Sequence, residues 1–242
     1  MTDDASPSPP SPIDLRAGLI DGLVAARSAE RDILAALDPA VRDTPPADGE
    51  WSPKDVQAHL SAWRAHQAER LEALRLGRPE PDLPATETDA ANAVFHAERA
   101  DWPWDRVAAD ADDANDRLIA ELRIATDEVV ADERIIATTM GNGPEHDLGH
   151  LPALAARVGL EDRVAVLARS VEDAVRSGAW PSRATAFARY NLACFHALAG
   201  RLDEARGLLR HALPVEEELR ELAPHDDDLI ALRAELPDLI AG

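Results

Sequence analysis

Three histidines are the residues of this chain whose types and spacing best suit chemistry. His146 and His150 are four residues apart, and residues at that spacing on a helix share one face. His59 lies far earlier in the chain, in Trp-Ser-Pro-Lys-Asp-Val-Gln-Ala-His-Leu. Neutral imidazole is a preferred nitrogen ligand of zinc, nickel, iron and copper. Two helices that bring the three rings together would form a metal site with one position open for water or substrate.

The two helices that must position these histidines have recognisable starts. Ser52 begins a Ser-Pro-Lys-Asp segment, which is typical of a capped helix start with proline in the first turn. His59 follows Val56 by three residues and precedes Trp63 by four, so it belongs to the apolar face of this helix. The later helix is predicted from Pro144, directly after a Gly-Asn-Gly breaker, to about residue 158.

Two other long amphipathic helices are predicted before residue 140. The first begins after Ser11, and the other begins near residues 101–103 and has an apolar stripe at helical spacing. A short helix is predicted over residues 88–100, and no segment alternates with the period of a strand. The pattern favours an all-α fold with a four-helix bundle over residues 12–158, in which facing helices can build a metal site. Residues 1–11 are rich in Pro, Ser and Asp and are predicted to be a disordered tail.

Composition excludes several classes of function. The 242 residues have a formal net charge of −21, which repels nucleic acid and anionic lipid, so neither is expected as a partner. Cys194 is the only cysteine, which excludes a disulfide framework and a thiolate metal cluster. The sequence has no basic and apolar signal segment and no apolar run of membrane-spanning length, so we expect a cytoplasmic protein without membrane contact.

The motifs around the histidines resemble those of a known superfamily. His59 within Gly-Glu-Trp-Ser-Pro-Lys-Asp-Val-Gln-Ala-His-Leu, followed much later by Glu-His-Asp-Leu-Gly-His-Leu, is similar to the DinB-like (YfiT-like) metalloenzyme superfamily over about residues 13–158. The resemblance implies a four-helix bundle that binds a divalent metal through one histidine of the second helix and a His-x-x-x-His of the last. By position, His59, His146 and His150 would be the ligands. That superfamily includes thiol-cofactor-dependent S-transferases, a mycothiol-dependent maleylpyruvate isomerase and a cyclopropane hydrolase that confers self-resistance.

The carboxylates beside the histidine pair have no obvious catalytic role. Glu145 and Asp147 each lie about 100° round the helix from His146, so we expect them to face solvent or to interact with the helix dipole. The alternative is that one of these carboxylates orients a metal-binding histidine. Glu145 could also replace His146 as a ligand if the helix register differs, since carboxylate ligands occur in the superfamily.

The last third of the chain, residues 160–242, has a different pattern. Residues 190–214 resemble one tetratricopeptide repeat (TPR), with small Ala193 and Ala205 for close helix packing, Gly200 at the turn and Pro214 after the second helix. Helices near residues 161–177 and 225–236 are predicted to flank it. A single repeat cannot bury its apolar face, so a TPR-like extension docked on the bundle is favoured over a binding groove.

Three functions are compatible with these features. We expect first a divalent-metal-dependent enzyme, a hydrolase or a thiol S-transferase, that acts on a small electrophilic molecule in detoxification or resistance. Zinc, nickel and iron are the candidate metals, and a low-molecular-weight thiol is a candidate cofactor. The alternatives are a non-catalytic protein that binds a protein partner through residues 160–242, and a protein that sequesters a small molecule. A homodimer is compatible with each of them.

Overall fold

The computed structural model describes residues 11–47, 49–176 and 180–241. Within these ranges the chain is all-helical, as predicted, and no strand is present. The predicted disordered tail lies outside the described residues apart from Ser11. The α-helices of the described ranges are α1 Pro12–Ala36, α2 Pro53–Arg75, α3 Thr88–Arg99, α4 Trp104–Ile124, α5 Asp127–Val130, α6 Glu133–Gly141, α7 Pro144–Val158, α8 Glu161–Arg176, α9 Ser182–Leu198, α10 Leu202–Ala212, α11 Glu217–Leu222 and α12 Leu236–Ala241.

Side-chain caps fix the starts of the two N-terminal helices. The Ser52 hydroxyl accepts a hydrogen bond from the backbone N–H of Asp55 at 3.2 Å, and the Asp55 carboxylate accepts one from the backbone N–H of Ser52 at 3.1 Å. Ser11 and Asp14 form the same pair of reciprocal hydrogen bonds, a capping box, at the start of α1. Each box satisfies backbone donors that the first helical turn leaves without partners. The predicted starts of α1 and α2 are confirmed, and the second of them sets the position of His59.

The helices α1, α2, α4 and α7 all contribute side chains to the main hydrophobic core. α4 packs along α2 and also contacts α1, while α7 packs against α1 and contacts α2. The interior between them is filled by fully buried aliphatic side chains, among them Leu19, Leu23, Leu60, Leu118, Leu122 and Leu151. Because α2 and α7 meet across this core, their histidine-bearing faces come together.

The hydrophobic core does not end at residue 159. Val164, Leu167 and Val171 of α8 belong to the same buried cluster as the leucines of α1 and α7, and so does Leu192 of α9. A second cluster lies between α9, α10 and the C-terminal segments. α9 therefore has one face toward the N-terminal helices and another toward the C-terminal ones. The predicted domain division between residues 158 and 160 stays a prediction.

The C-terminal segments agree only partly with the predicted elements. α9 and α10 form a close antiparallel hairpin, and Gly200 makes its turn with a φ of +73°, which glycine adopts without strain. The predicted helix near residues 225–236 is wrong, because 3₁₀ segments at Ala223–His225 and Asp227–Leu232 occupy most of it. The Asp226 carboxylate accepts a hydrogen bond from the backbone N–H of Asp228 at 3.0 Å. Such local side-chain bonds compete with a regular helix.

No helix within the described residues is both long and apolar enough to cross a membrane.

Gly143, between α6 and α7, is expected to be essential for the close packing at the start of α7. A Cβ added there would lie 2.5 Å from Cδ2 of Leu23 and 2.9 Å from the carbonyl oxygen of Thr139. We expect Gly143→Ala to lower the free energy of unfolding in urea by about 1–3 kcal/mol, the usual cost of overpacking.

Gly149, within α7, provides the matched control because a Cβ there has no neighbour within 4 Å. Gly149→Ala is expected to leave stability unchanged or to raise it by up to about 1 kcal/mol through helix propensity. Equal losses of stability in the two variants would contradict the packing argument.

Candidate metal centre

The structure brings the three predicted histidines together. His59 projects from the second turn of α2, and His146 and His150 project from the first and second turns of α7. The imidazole centroids of His59 and His146 are 4.6 Å apart, and His150 lies 4.9 Å from each of them. The Nε2 atoms of His59 and His146 are 2.9 Å apart. Three nitrogen donors from two helices thus converge on one point.

Burial keeps the three imidazoles neutral. Desolvation lowers the pKa of His59 to about 3, with a further contribution from His150. Desolvation also lowers the pKa of His150 to about 4 and holds the pKa of His146 well below its usual value. A metal ligand must be the unprotonated imidazole. At neutral pH the group is therefore already in the form that binds a metal.

The donor set fits a divalent transition metal. One ligand nitrogen from each histidine lies within 4.8 Å of the others, and a tetrahedral ion with bonds of about 2.0–2.1 Å holds its ligand nitrogens about 3.3 Å apart. The buried Nδ1 atoms of His59 and His146 have no hydrogen-bond partner within the described part of the chain. The Nε2 atoms of these two rings face each other at 2.9 Å and are the nitrogens that would bind the ion. Three ligands also leave a coordination position open.

An open pocket of about 300 Å³ gives access to the three rings. Two indoles form part of its wall, with the Trp51 ring centroid 4.6 Å from that of His59 and the Trp63 centroid 6.5 Å from it. The remaining lining is small or uncharged and consists of Thr88, Asn92, Gly141 and Asn142. Helical spacing alone favours a core position for Trp63 and a cap or surface position for Asn92, but both residues line this pocket.

Glu145 does not face solvent, and that prediction was wrong. Its side chain is buried and accepts a hydrogen bond of 2.5 Å from the side-chain amide of Asn191 on α9. Burial raises the pKa of Glu145 to about 8. Glu145 thus faces α9 while His146 faces His59, so the alternative in which Glu145 replaces His146 as a ligand is not supported. The C-terminal helices cover the side of α7 that a helix considered alone would leave in water.

Asp147 is also buried, contrary to the prediction, and belongs to a charged cluster. The Arg64 guanidinium of α2 donates to Asp147 of α7 and to Glu30 of α1, the latter at 2.6 Å. All three side chains are fully buried, and Arg27 pairs with the second oxygen of Glu30 at 2.7 Å. The sequence pattern could have indicated this cluster. Glu30 and Arg64 lie at helical spacing from the apolar residues of α1 and α2, on the faces that these residues predict to be buried.

The other histidines do not join the group. His66 is buried and packs against Trp63 and Phe95 with centroid distances of 6.3 Å. His96 pairs with Asp55 at 3.3 Å, and His196 pairs with a carboxylate of α8.

Cys194 packs within the second hydrophobic cluster. It is buried, and its sulfur lies 3.6 Å from the Asp226 carboxylate, which also accepts a hydrogen bond from the Tyr190 hydroxyl at 2.7 Å. Burial and the neighbouring carboxylates raise the pKa of the Cys194 thiol far above its usual value. The thiol is therefore protonated and is not a nucleophile.

Comparison with known proteins assigns the family. The family model of the DinB superfamily matches residues 23–157, which is more than half of the chain and includes His59, His146 and His150. No curated protein and no solved structure gave a significant match. With its all-helical fold and its converging histidines, the chain belongs to the DinB superfamily.

Proposed function

We propose that this protein is a divalent-metal-dependent enzyme that acts on a small electrophilic molecule, by hydrolysis or by thiol S-transfer, in detoxification or resistance. The proposal assigns the metal to His59, His146 and His150. The observation that carries it is the convergence of three neutral imidazoles beside an open pocket. An ion held there supplies Lewis acidity that activates water or a thiol for attack on an electrophile. Zinc, nickel and iron are the candidate ions.

The side chains around the histidines have positioning roles in this proposal. Trp51 and Trp63 form apolar walls that hold a substrate and limit access of water. Asn92 and Asn142 contribute uncharged polar groups to the same pocket. No carboxylate is among the described residues that line it, so the proposal assigns no general base. The thiol cofactor, the homodimer and the cytoplasmic location stay predictions.

We further propose that α1, α2, α4 and α7 form the metal-binding four-helix bundle and that α9 and α10 are a TPR-like extension docked on it. The hydrogen bond between Asn191 and Glu145 supports docking, since it joins α9 to the helix that bears the histidine pair. The hydrophobic cluster shared by α1, α7, α8 and α9 supports it as well. These contacts favour an extension that stabilises the bundle over an independent protein-binding module.

Turnover by metal-loaded protein tests the proposed activity. The full chain, reconstituted separately with Zn²⁺, Ni²⁺ and Fe²⁺, is incubated with a panel of aryl esters, lactones, epoxides and conjugated enones, with and without a low-molecular-weight thiol. We expect metal-dependent turnover that His146→Ala abolishes and that the exposed-residue control His225→Ala leaves unchanged. A dependence of the rate on thiol concentration would identify S-transfer, and independence would identify hydrolysis. Absence of turnover in stoichiometrically loaded protein across the panel would contradict the enzyme assignment.

A further inference from the structure

We infer that the pocket beside the three histidines selects a planar, uncharged substrate with a conjugated or aromatic π system. This inference rests on the proposed function and names the substrate class of the same site. It follows from the shape of the aromatic wall, which is formed by Trp51 and Trp63, from the absence of charged side chains in the described lining, and from the uncharged polar groups of that lining.

The Trp51 indole lies nearly parallel to two neighbouring imidazoles. The Trp51 ring is nearly parallel to the imidazole of His150, with an interplanar angle of 21° and a centroid distance of 6.3 Å. It is also parallel to the imidazole of His96, at 6° and 6.0 Å. Aromatic rings prefer offset-stacked or edge-to-face contacts with other π systems. A planar ligand can extend this parallel arrangement, whereas a puckered ring of equal size cannot.

Trp63 is held rigidly on the other part of the wall. Its indole N–H donates to Oδ1 of Asn92 at 3.0 Å, and the Phe95 ring contacts it edge to face at a centroid distance of 5.4 Å. Because Oδ1 of Asn92 accepts this bond, the same amide has its Nδ2 group available to donate into the pocket. A carbonyl oxygen on the substrate is the matching acceptor.

The lining provides no fixed charge for an ionic substrate. Apart from the three histidines, the described lining residues are Trp51, Trp63, Thr88, Asn92, Gly141 and Asn142. None of these carries a charge, and the chain as a whole has a formal net charge of −21. A carboxylate or phosphate on the substrate, away from the metal, would lose its hydration without gaining a cationic partner, which is costly. The volume of about 300 Å³ is at the lower end for small-molecule sites and suits a compact ligand.

Three hydroxamic acids test this inference on zinc-loaded full-length protein, because each carries the same metal-binding group. Benzohydroxamic acid is planar, cyclohexanecarbohydroxamic acid has a puckered ring, and 4-carboxybenzohydroxamic acid adds a charge to the planar ring. We expect the planar uncharged compound to bind about 3- to 10-fold more tightly than the puckered one, the range that one stacking contact provides. The carboxylate derivative is expected to bind at least about 10-fold more weakly than the parent compound.

Variants of Trp51 test whether this side chain produces the preference for a planar ligand. Trp51→Leu is expected to reduce the planar preference to less than about 2-fold, and Trp51→Phe is expected to retain most of it. Trp102→Leu is the control, since the Trp102 ring stacks on Arg106, with 3.8 Å from the guanidinium carbon to its centroid, and does not line the pocket. If Trp51→Leu does not fold, the comparison of the three ligands on the unmodified protein still decides the inference.

The measurements distinguish failure of the substrate-class inference from failure of the proposed function. If zinc binds stoichiometrically but the planar and puckered compounds bind equally, or the carboxylate derivative binds as tightly as its parent, the substrate-class inference is overturned while the proposed metal site stands. If zinc itself does not bind, the proposed function fails, and the inference that rests on it fails with it.

Discussion

Replacement of His150 by alanine is expected to lower the affinity of the chain for Zn²⁺ by more than about 100-fold. Loss of a group that only orients a metal ligand typically costs about 10- to 100-fold in affinity, and loss of a ligand removes a bond to the ion itself. His150 lies 4.9 Å, centroid to centroid, from both His59 and His146, so alanine leaves two imidazoles and an open side. Competition against a chromogenic chelator measures the affinity, and elemental analysis gives the stoichiometry.

Thermal unfolding provides an independent measure of the same prediction. A ligand present at 100 times its Kd stabilises the native state by about 2.7 kcal/mol. Added Zn²⁺ is therefore expected to raise the Tm of the unmodified chain and of the exposed-residue control His225→Ala, but not that of His150→Ala. Zinc binding by His150→Ala with unchanged affinity would show that this residue is not a ligand.

Features governed by local interactions could be predicted from the sequence. The starts of α1 and α2 depend on Ser11 and Ser52, whose hydrogen-bond partners are only three residues away. The placement of His59 on a buried face depends on the helical period alone, and the structure places it there with 6 % exposure. Such predictions need no knowledge of which helix packs against which.

Features that depend on distant segments could not be predicted in the same way. Glu145 and Asp147 lie beside a histidine on α7, and helical geometry alone suggested solvent for both. Their actual partners, Asn191 and Arg64, are 46 and 83 residues away in the chain. Only the packing of α9 and α2 around α7 determines that both carboxylates are buried. The same reasoning applies to His66, whose burial depends on Phe95 from α3.

A second large effect is expected from Arg64→Met, which should lower the free energy of unfolding by about 3–5 kcal/mol. Arg64 lies between Glu30 and Asp147, and all three side chains are fully buried. Methionine has a similar length but no charge, so the variant leaves two carboxylates in the interior without their shared cation. The cost arises mainly from the Asp147 carboxylate, which is left in the interior without its cation, because Glu30 still pairs with Arg27, and less from the lost hydrogen bonds. Urea unfolding followed by circular dichroism measures the change.

An exposed ion pair serves as the control. Arg176 pairs with Asp173 at 2.8 Å, with side-chain exposures of 69 % and 73 %. Arg176→Met is expected to change stability by less than about 1 kcal/mol, because solvent screens such pairs. A comparably small effect of Arg64→Met would contradict the view that this cation compensates the two buried carboxylates.

Removing the whole cluster separates its contribution to stability from its contribution to the site. In the triple variant Glu30→Gln/Arg64→Met/Asp147→Leu no unpaired charge remains at these positions, because Arg27 loses the carboxylate of Glu30 but keeps its second partner, Asp112. Replacement of a complete buried ion cluster by uncharged groups is often neutral or stabilising, so the triple variant should regain most of the stability lost in Arg64→Met. Asp147 directly follows His146, and its ion pair with Arg64 links α7 to α2. If the triple variant regains stability but binds zinc more weakly than the unmodified chain, the buried cluster positions the histidines. If it binds zinc with the affinity of the unmodified chain, the role of the cluster is confined to folding.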